Sequence, residues 1–230
     1  MTISKTIKLY GFEELSESIQ DTIISTYIQD LPGWWSDDTE ERIRNEAKAI
    51  GINDFDFTWS GFWSQGDGLS FTGSLEFKVW LYVLQQHFPS WVSDDVNESN
   101  GFKKLGESLS DIVMLQEKNR VEWGNCSISR SMHLYCHENA VNVSEPDSVL
   151  GWDERRGSPS DNERMKSFGV KAQKYLEEWK NELCRRWYSE LQSAYETFTD
   201  RDHIVEDLNS KELFFTSNGT IIDEDELINI

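Results

Sequence analysis

The sequence predicts an α+β fold: an antiparallel sheet built from hairpins, packed on one face by helices that include a long C-terminal one. Two strand-like alternations and one long helical stripe predict it. Phe55, Phe57 and Trp59 alternate with Asp54, Asp56 and Thr58, and Leu69, Phe71, Gly73, Leu75 and Phe77 alternate beyond Gly66-Asp67-Gly68. Period two on both sides of a glycine-rich turn is the pattern of an antiparallel hairpin. A second hairpin is expected from about Arg120 to Ser144, through Val121, Trp123, Ile128, Met132, Leu134, Val141 and Val143. From Met165 to about Phe198, residues Phe168, Ala172, Tyr175, Leu176, Trp179, Leu183, Trp187, Leu191, Ala194, Tyr195 and Phe198 recur at helical spacing, a stripe wide enough to lie across a sheet.

The other elements follow in chain order. Residues 2–9 mix β-branched and basic residues in near alternation and predict a strand. Leu15, Ile19, Ile23 and Tyr27 recur every fourth residue and predict a helix with one buried face. Pro32 and Gly33 mark its exit, and a second helix from about Ser36 to Ile50 opens with Asp37, Asp38, Glu40 and Glu41, where negative charge suits a helix N-terminus, and stops at Gly51. Within the first hairpin, Gly61 marks a bulge or a close backbone approach. Val79 to Phe88 favours a helix halted by Pro89, residues 93–101 an exposed loop, and Phe102 to Leu115 a weaker helix carrying Leu105, Leu109, Ile112 and Val113. Residues 144–163 hold two of the four prolines among dense polar residues and are expected to form a mobile loop or linker within a single domain spanning 1–230. Thr199 to Asn209 predicts a last short helix, and Asn218-Gly219 the turn of a terminal hairpin.

Composition narrows the function classes. The 230 residues carry 22 Lys plus Arg against 42 Asp plus Glu, a net charge of −20, and ten Trp and twelve Phe. So many aromatic residues mark a folded chain. No apolar run approaches the ~20 residues of a membrane span, and Met1 to Tyr10, with Lys5 and Lys8, lacks the apolar stretch of a secretion signal, so a cytoplasmic location is expected. Three cysteines, Cys126, Cys136 and Cys184, fit a reducing compartment better than a disulfide framework. The acid excess disfavours direct nucleic-acid binding, which draws its affinity from Lys and Arg on phosphates, and suits a basic or nucleic-acid-binding protein partner.

Catalytic and metal motifs are not evident. Cys126, His133, Cys136 and His137 gather within twelve residues, but zinc pairs sit two to four residues apart around a tight knuckle, and on a strand Cys136 and His137 would point to opposite faces. Packed thiols and a satisfied histidine are the expectation, with no metal and no cofactor. No nucleophile elbow, phosphate-binding glycine loop or zincin helix occurs. Asp67, beside Ser64 and Gln65, has two readings: a carboxylate presented at a hairpin tip to a partner or ligand, or a turn residue capping its own backbone between glycines that supply positive φ. The acidic clusters at Asp37 to Glu41, Asp94 to Glu98, Glu177-Glu178 and Asp223 to Glu226 could imitate duplex phosphates, or simply keep the protein soluble.

Thr58 to Gly73, TWSGFWSQGDGLSFTG, resembles the string FSGFWSQGDGA-x-F-x-G of a family of small acidic phage and prophage proteins often labelled "antitoxin of toxin-antitoxin stability system". GFEELSESIQDTI is similar to that family's opening, Trp34-Trp35 before an acidic helix matches as well, and ETFTDRDHIVEDLNSKELFFTSNGTII is similar to its closing segment; 144–163 compares least. Leu69-Ser70 departs from the Ala and Cys of the family pattern. The resemblance implies a phage-derived product acting inside a bacterial cell and transfers no catalytic residue. The expectation is therefore a non-enzymatic binding protein that inhibits a host defence or DNA-processing protein through an acidic surface, with an antitoxin as the nearest variant. Its partner-binding residues are expected to be Trp34, Trp35, Asp37, Asp38, Glu40, Glu41, Trp63, Ser64, Gln65 and Asp67. The alternative is an enzyme or small-ligand binder with a pocket beside the 54–77 hairpin, using Ser64, Gln65, Asp67 and His133.

Overall fold

The two strands that flank Gly66-Asp67-Gly68 pair as the alternation demands. In the computed structural model, which describes residues 8–76, 125–131, 136–144, 158–211 and 213–222, β1 (Ile52–Ser60) runs antiparallel to β2 (Gly68–Glu76), with Phe57 opposite Phe71 and Trp59 opposite Leu69. β3 (Asn125–Arg130) and β4 (Val141–Val143) extend this into a four-stranded antiparallel sheet in the order β1-β2-β3-β4. The helices are α1 (Glu17–Gln29), α2 (Asp37–Ala49), the 40-residue α3 (Pro159–Phe198) and α4 (Arg201–Ser210). A terminal hairpin joins β5 (Phe214–Phe215) to β6 (Ile221–Ile222) around Gly219, whose φ of 85° is the left-handed conformation a tight turn requires. This is the α+β class the sequence predicts, with its antiparallel sheet and long C-terminal helix.

The chain divides into two compact units, residues 40–190 and residues 1–39 with 191–230. The larger holds the sheet. Leu69, Phe71 and Leu75 of β2 share one face with Phe57 of β1 and with Cys126 and Ile128 of β3, and all are buried. Helix α3 lays Leu176, Trp179, Leu183 and Trp187 into this core, and α2 adds Ile43 and Ala47. The fully buried Trp187 meets Phe55 and Phe71 edge-on at 5.3 and 5.4 Å, and its Nε1 donates to Glu46 Oε2 at 3.0 Å, so the indole packs without stranding its polar atom. Lys180 is buried as well, donating to the Val141 carbonyl at 2.9 Å and to Glu177 at 2.6 Å.

The smaller unit closes on its own core of Phe12, Leu15, Ile23, Ile24, Ile204, Leu208 and Phe215. Tyr10 bridges to Phe215, and Phe12 meets the Phe215 ring at 6.1 Å. Tyr27 of α1 donates to Asp207 of α4 at 2.8 Å.

Several local expectations are narrowed or corrected. The bulge lies not at Gly61, which falls just after β1, but at Asp54-Phe55, where the register slips between Asn53 and Asp56. The glycine that marks it is Gly73 across the ladder, where a Cβ would meet Ile52 Cγ2 at 2.6 Å and the Asn53 carbonyl at 3.0 Å. One extra residue in β1, with Asp54 at φ 51°, lets Ile52 and Phe57 face the same core despite their odd spacing. Gly61 serves instead for close approach: its Cβ would lie 2.9 Å from Asp67 Oδ2. Helix α3 begins at Pro159, inside the stretch assigned to a linker, because proline suits a first helical turn. The strand expected over 2–9 is not formed at residues 8 and 9; its residues 2–7, the helices 79–88 and 102–115, the loop 93–101, and Val121, Trp123, Met132, His133 and Leu134 lie outside the described residues.

Candidate functional site: the first hairpin turn and the tryptophan pair

The connection from β1 to β2 is built around Asp67. Its Oδ2 accepts from the backbone N–H of Trp63 at 3.0 Å and of Ser64 at 2.6 Å, while its own N–H donates to the Ser64 carbonyl at 3.1 Å. Gly66 bends the chain at φ 97°. Gly68 is a glycine for a different reason: a Cβ there would sit 2.6 Å from the Cys136 carbonyl oxygen. Of the two readings of Asp67, the geometry is that of a turn residue capping its own backbone. Ser64 and Gln65 point to solvent, and Trp63 is 71% exposed.

Beneath the turn lies an aromatic stack. Trp59 and Phe62 stack at 5.4 Å, Phe62 meets Tyr188 of α3 at 5.4 Å, and the Tyr188 hydroxyl donates to the Gly61 carbonyl. Burial, followed by the nearby Asp67 carboxylate, pushes the Tyr188 phenol above its ordinary pKa and keeps it a donor. Glu40, expected on a solvated acidic surface, is half-buried and accepts from Trp59 Nε1 at 3.1 Å. The sequence offered no signal for Tyr188 in this role, since it meets the turn 127 residues away.

At the same end of the hairpin, Thr58 lies between three polar side chains. Its hydroxyl is 3.3 Å from Ser70 Oγ and 3.4 Å from Cys136 Sγ, and it accepts from Arg130. His137 caps the following short helical turn, its Nδ1 accepting from Asn139 N at 3.2 Å. Cys126 is buried opposite Leu75 with Ser144 Oγ 3.6 Å from its sulfur, and burial raises its pKa. Cys184 is buried too, its thiol pushed up to about 12 by desolvation. Such thiols are poor nucleophiles and ligands. Among the described residues no group of three or more His, Cys, Asp or Glu is placed to hold a metal ion, and no helix is long and apolar enough to cross a membrane.

The remaining predicted residues belong to other surroundings. Trp34 and Trp35 lie in a short 3-10 turn, Gly33–Ser36, that leads into α2. Trp34 is 59% exposed and meets the Phe198 ring edge-on at 6.0 Å; Trp35 is half-buried with Tyr195 at 5.4 Å. Asp37, Asp38 and Glu41 are exposed on α2. The division into units places Trp34, Trp35, Asp37 and Asp38 in the smaller one and Glu40, Glu41, Trp63, Ser64, Gln65 and Asp67 in the larger.

No curated protein and no solved structure matches this chain. Residues 34–200, a span that starts at the exposed Trp34 and contains the whole first hairpin, match the family described as a domain of unknown function, DUF8835, and the chain belongs to that family.

Proposed function

We propose that this protein is a phage-derived, non-enzymatic binding protein that works inside a bacterial cell by engaging a host protein, as an inhibitor of a defence or DNA-processing factor or, in its nearest variant, as an antitoxin. One observation carries the binding reading: Trp63 stands 71% exposed on a turn whose backbone is already fixed by the Asp67 carboxylate. An indole held out to solvent loses apolar hydration only when something covers it, and tryptophan is the side chain most enriched among binding hot spots. Because the loop is ordered beforehand, covering Trp63 costs little further backbone entropy. The host side of the proposal rests on the resemblance of the SGFWSQGDG segment to phage proteins and on the net charge of −20, which attracts basic partners. The ligand-pocket alternative draws less support, since the Asp67 carboxylate is occupied by its own loop while Ser64 and Gln65 face outward. The test is affinity capture from a bacterial lysate with the native chain and with Trp63→Ala, after circular dichroism shows both folded. Selective loss of captured protein in the variant is the expected result. An identical captured set would overturn the assignment to Trp63.

A further inference from the structure

We infer that the smaller unit carries a docking surface for an arginine-bearing, cationic segment of a partner protein, formed by Trp34 on the edge of Phe198, the His203 ring that Phe198 also meets, and the exposed carboxylates Asp37, Asp38 and Asp202 that neighbour these rings in sequence. The inference rests on the protein-binding reading and refines it, because it names the partner's chemistry and assigns that recognition to residues of the smaller unit, whereas Trp63 belongs to the larger.

The charge of the chain is unevenly divided. The smaller unit has 17 acidic and four basic residues, a net charge of −13 in 79 residues; the larger has 25 and 18, a net charge of −7 in 151. The described cations of the smaller unit are already engaged. Arg201 pairs with Asp21 at 2.6 Å, Lys211 with Asp207 at 2.5 Å, and Lys8 lies over the Tyr10 ring at 4.6 Å. Asp37 and Asp38 are exposed and form no ion pair among the described residues. Beside them in sequence the Trp34 ring is 59% exposed, backed edge-on by Phe198, which is itself in edge contact with His203 at 5.4 Å. An exposed indole with exposed carboxylates three and four residues further along the chain suits a guanidinium, which stacks on a ring and donates to carboxylates at once. The same charge repels the alternative occupants: nucleic acid, and this face of a second copy of the chain.

The probe is a fluorescently labelled nona-arginine peptide, read by anisotropy against the full-length chain, with nona-lysine for comparison. The native protein is expected to prefer the arginine peptide. Trp34→Ala, which removes an exposed ring, should weaken arginine-peptide binding by about threefold and erase the preference over lysine. Asp37→Asn with Asp38→Asn should weaken binding by about fivefold, whereas Glu163→Gln with Glu182→Gln, an equal neutralisation at exposed positions of the larger unit, should leave it within about twofold. Equal losses from both neutralisations would reduce the effect to net charge and overturn the inference. So would an arginine preference that survives Trp34→Ala, or Asp37/Asp38 variants that lower thermal stability through the α2 N-terminus while peptide affinity stays native. Trp63→Ala should keep native peptide binding. If peptide binding fails these tests while Trp63-dependent capture persists, the docking surface falls and the protein-binding reading stands; the converse result removes Trp63 and retains the surface.

Discussion

Single residues of the first hairpin are constrained for unlike reasons, and their substitutions separate accordingly. Gly66 needs its φ of 97°, closed to residues with a Cβ, so Gly66→Ala should cost about 1 kcal/mol. Gly68 needs space: a methyl group would lie 2.6 Å from a backbone oxygen that no rotamer change can move, so Gly68→Ala should cost about 1–3 kcal/mol. Asp67→Ala removes two hydrogen bonds, yet the freed N–H groups of Trp63 and Ser64 lie in exposed chain where water can replace the carboxylate, and the loss should stay below about 1 kcal/mol. Urea unfolding of the three variants checks the order. An Asp67→Ala change costlier than both glycine changes would mean that the carboxylate, not the glycines, holds the turn. The sequence itself marked 66–68 as a turn, but the separate duties of the two glycines depend on Cys136, 68 residues further along.

Between elements, α1 and α4 are tied by a network that pH should reveal. Burial alone would push the Asp207 carboxyl up, but hydrogen bonds from Lys211 and Tyr27 and the charge of Lys211 outweigh it and hold Asp207 below the ordinary carboxylate value. A group depressed on folding stabilises the native state above its unfolded pKa and loses that contribution as the pH falls through the folded value. The Lys211 ammonium is raised, chiefly by its hydrogen bond to Asp207, so its share is present below the ordinary lysine pKa and is lost in strong alkali. Asp207→Asn should therefore lower the urea midpoint at pH 7 and flatten the decline of stability that sets in below about pH 4, where the carboxyl of the unfolded chain begins to protonate while the native Asp207 stays charged. A variant whose midpoint follows the parent from pH 2 to pH 7 would show that the network adds nothing. Helical spacing made both helices legible, but nothing local pairs Tyr27 with a residue 180 positions away.

At the scale of the whole molecule, the proposed binding assigns encounter to charge and retention to aromatic surface. A field from twenty excess negative charges raises the association rate with a cationic protein and is screened within ~8 Å at physiological ionic strength against ~30 Å at 0.01 M. The association rate of a captured basic partner should therefore fall steeply as salt rises between those limits, with a smaller change in dissociation rate. Stopped-flow measurement across that range checks it, and a flat rate would remove electrostatic capture. The net charge, the helical stripe of α3, the first hairpin with its turn, and the terminal hairpin at Gly219 were determined by the sequence alone, because periodicity, turn chemistry and composition are properties of neighbouring residues. Tertiary structure decided the rest. Only the packing of Gly73 against Ile52 and Asn53 placed the bulge at Asp54-Phe55, and only contact with Trp59 withdrew Glu40 from the acidic surface. Trp34 and Trp35, identical and adjacent, were parted into an exposed ring and a half-buried one by how Phe198 and Tyr195 meet them from α3. Exposure and partnership are settled by atoms brought together from distant positions in the chain, and local periodicity carries no information about which distant atoms those are.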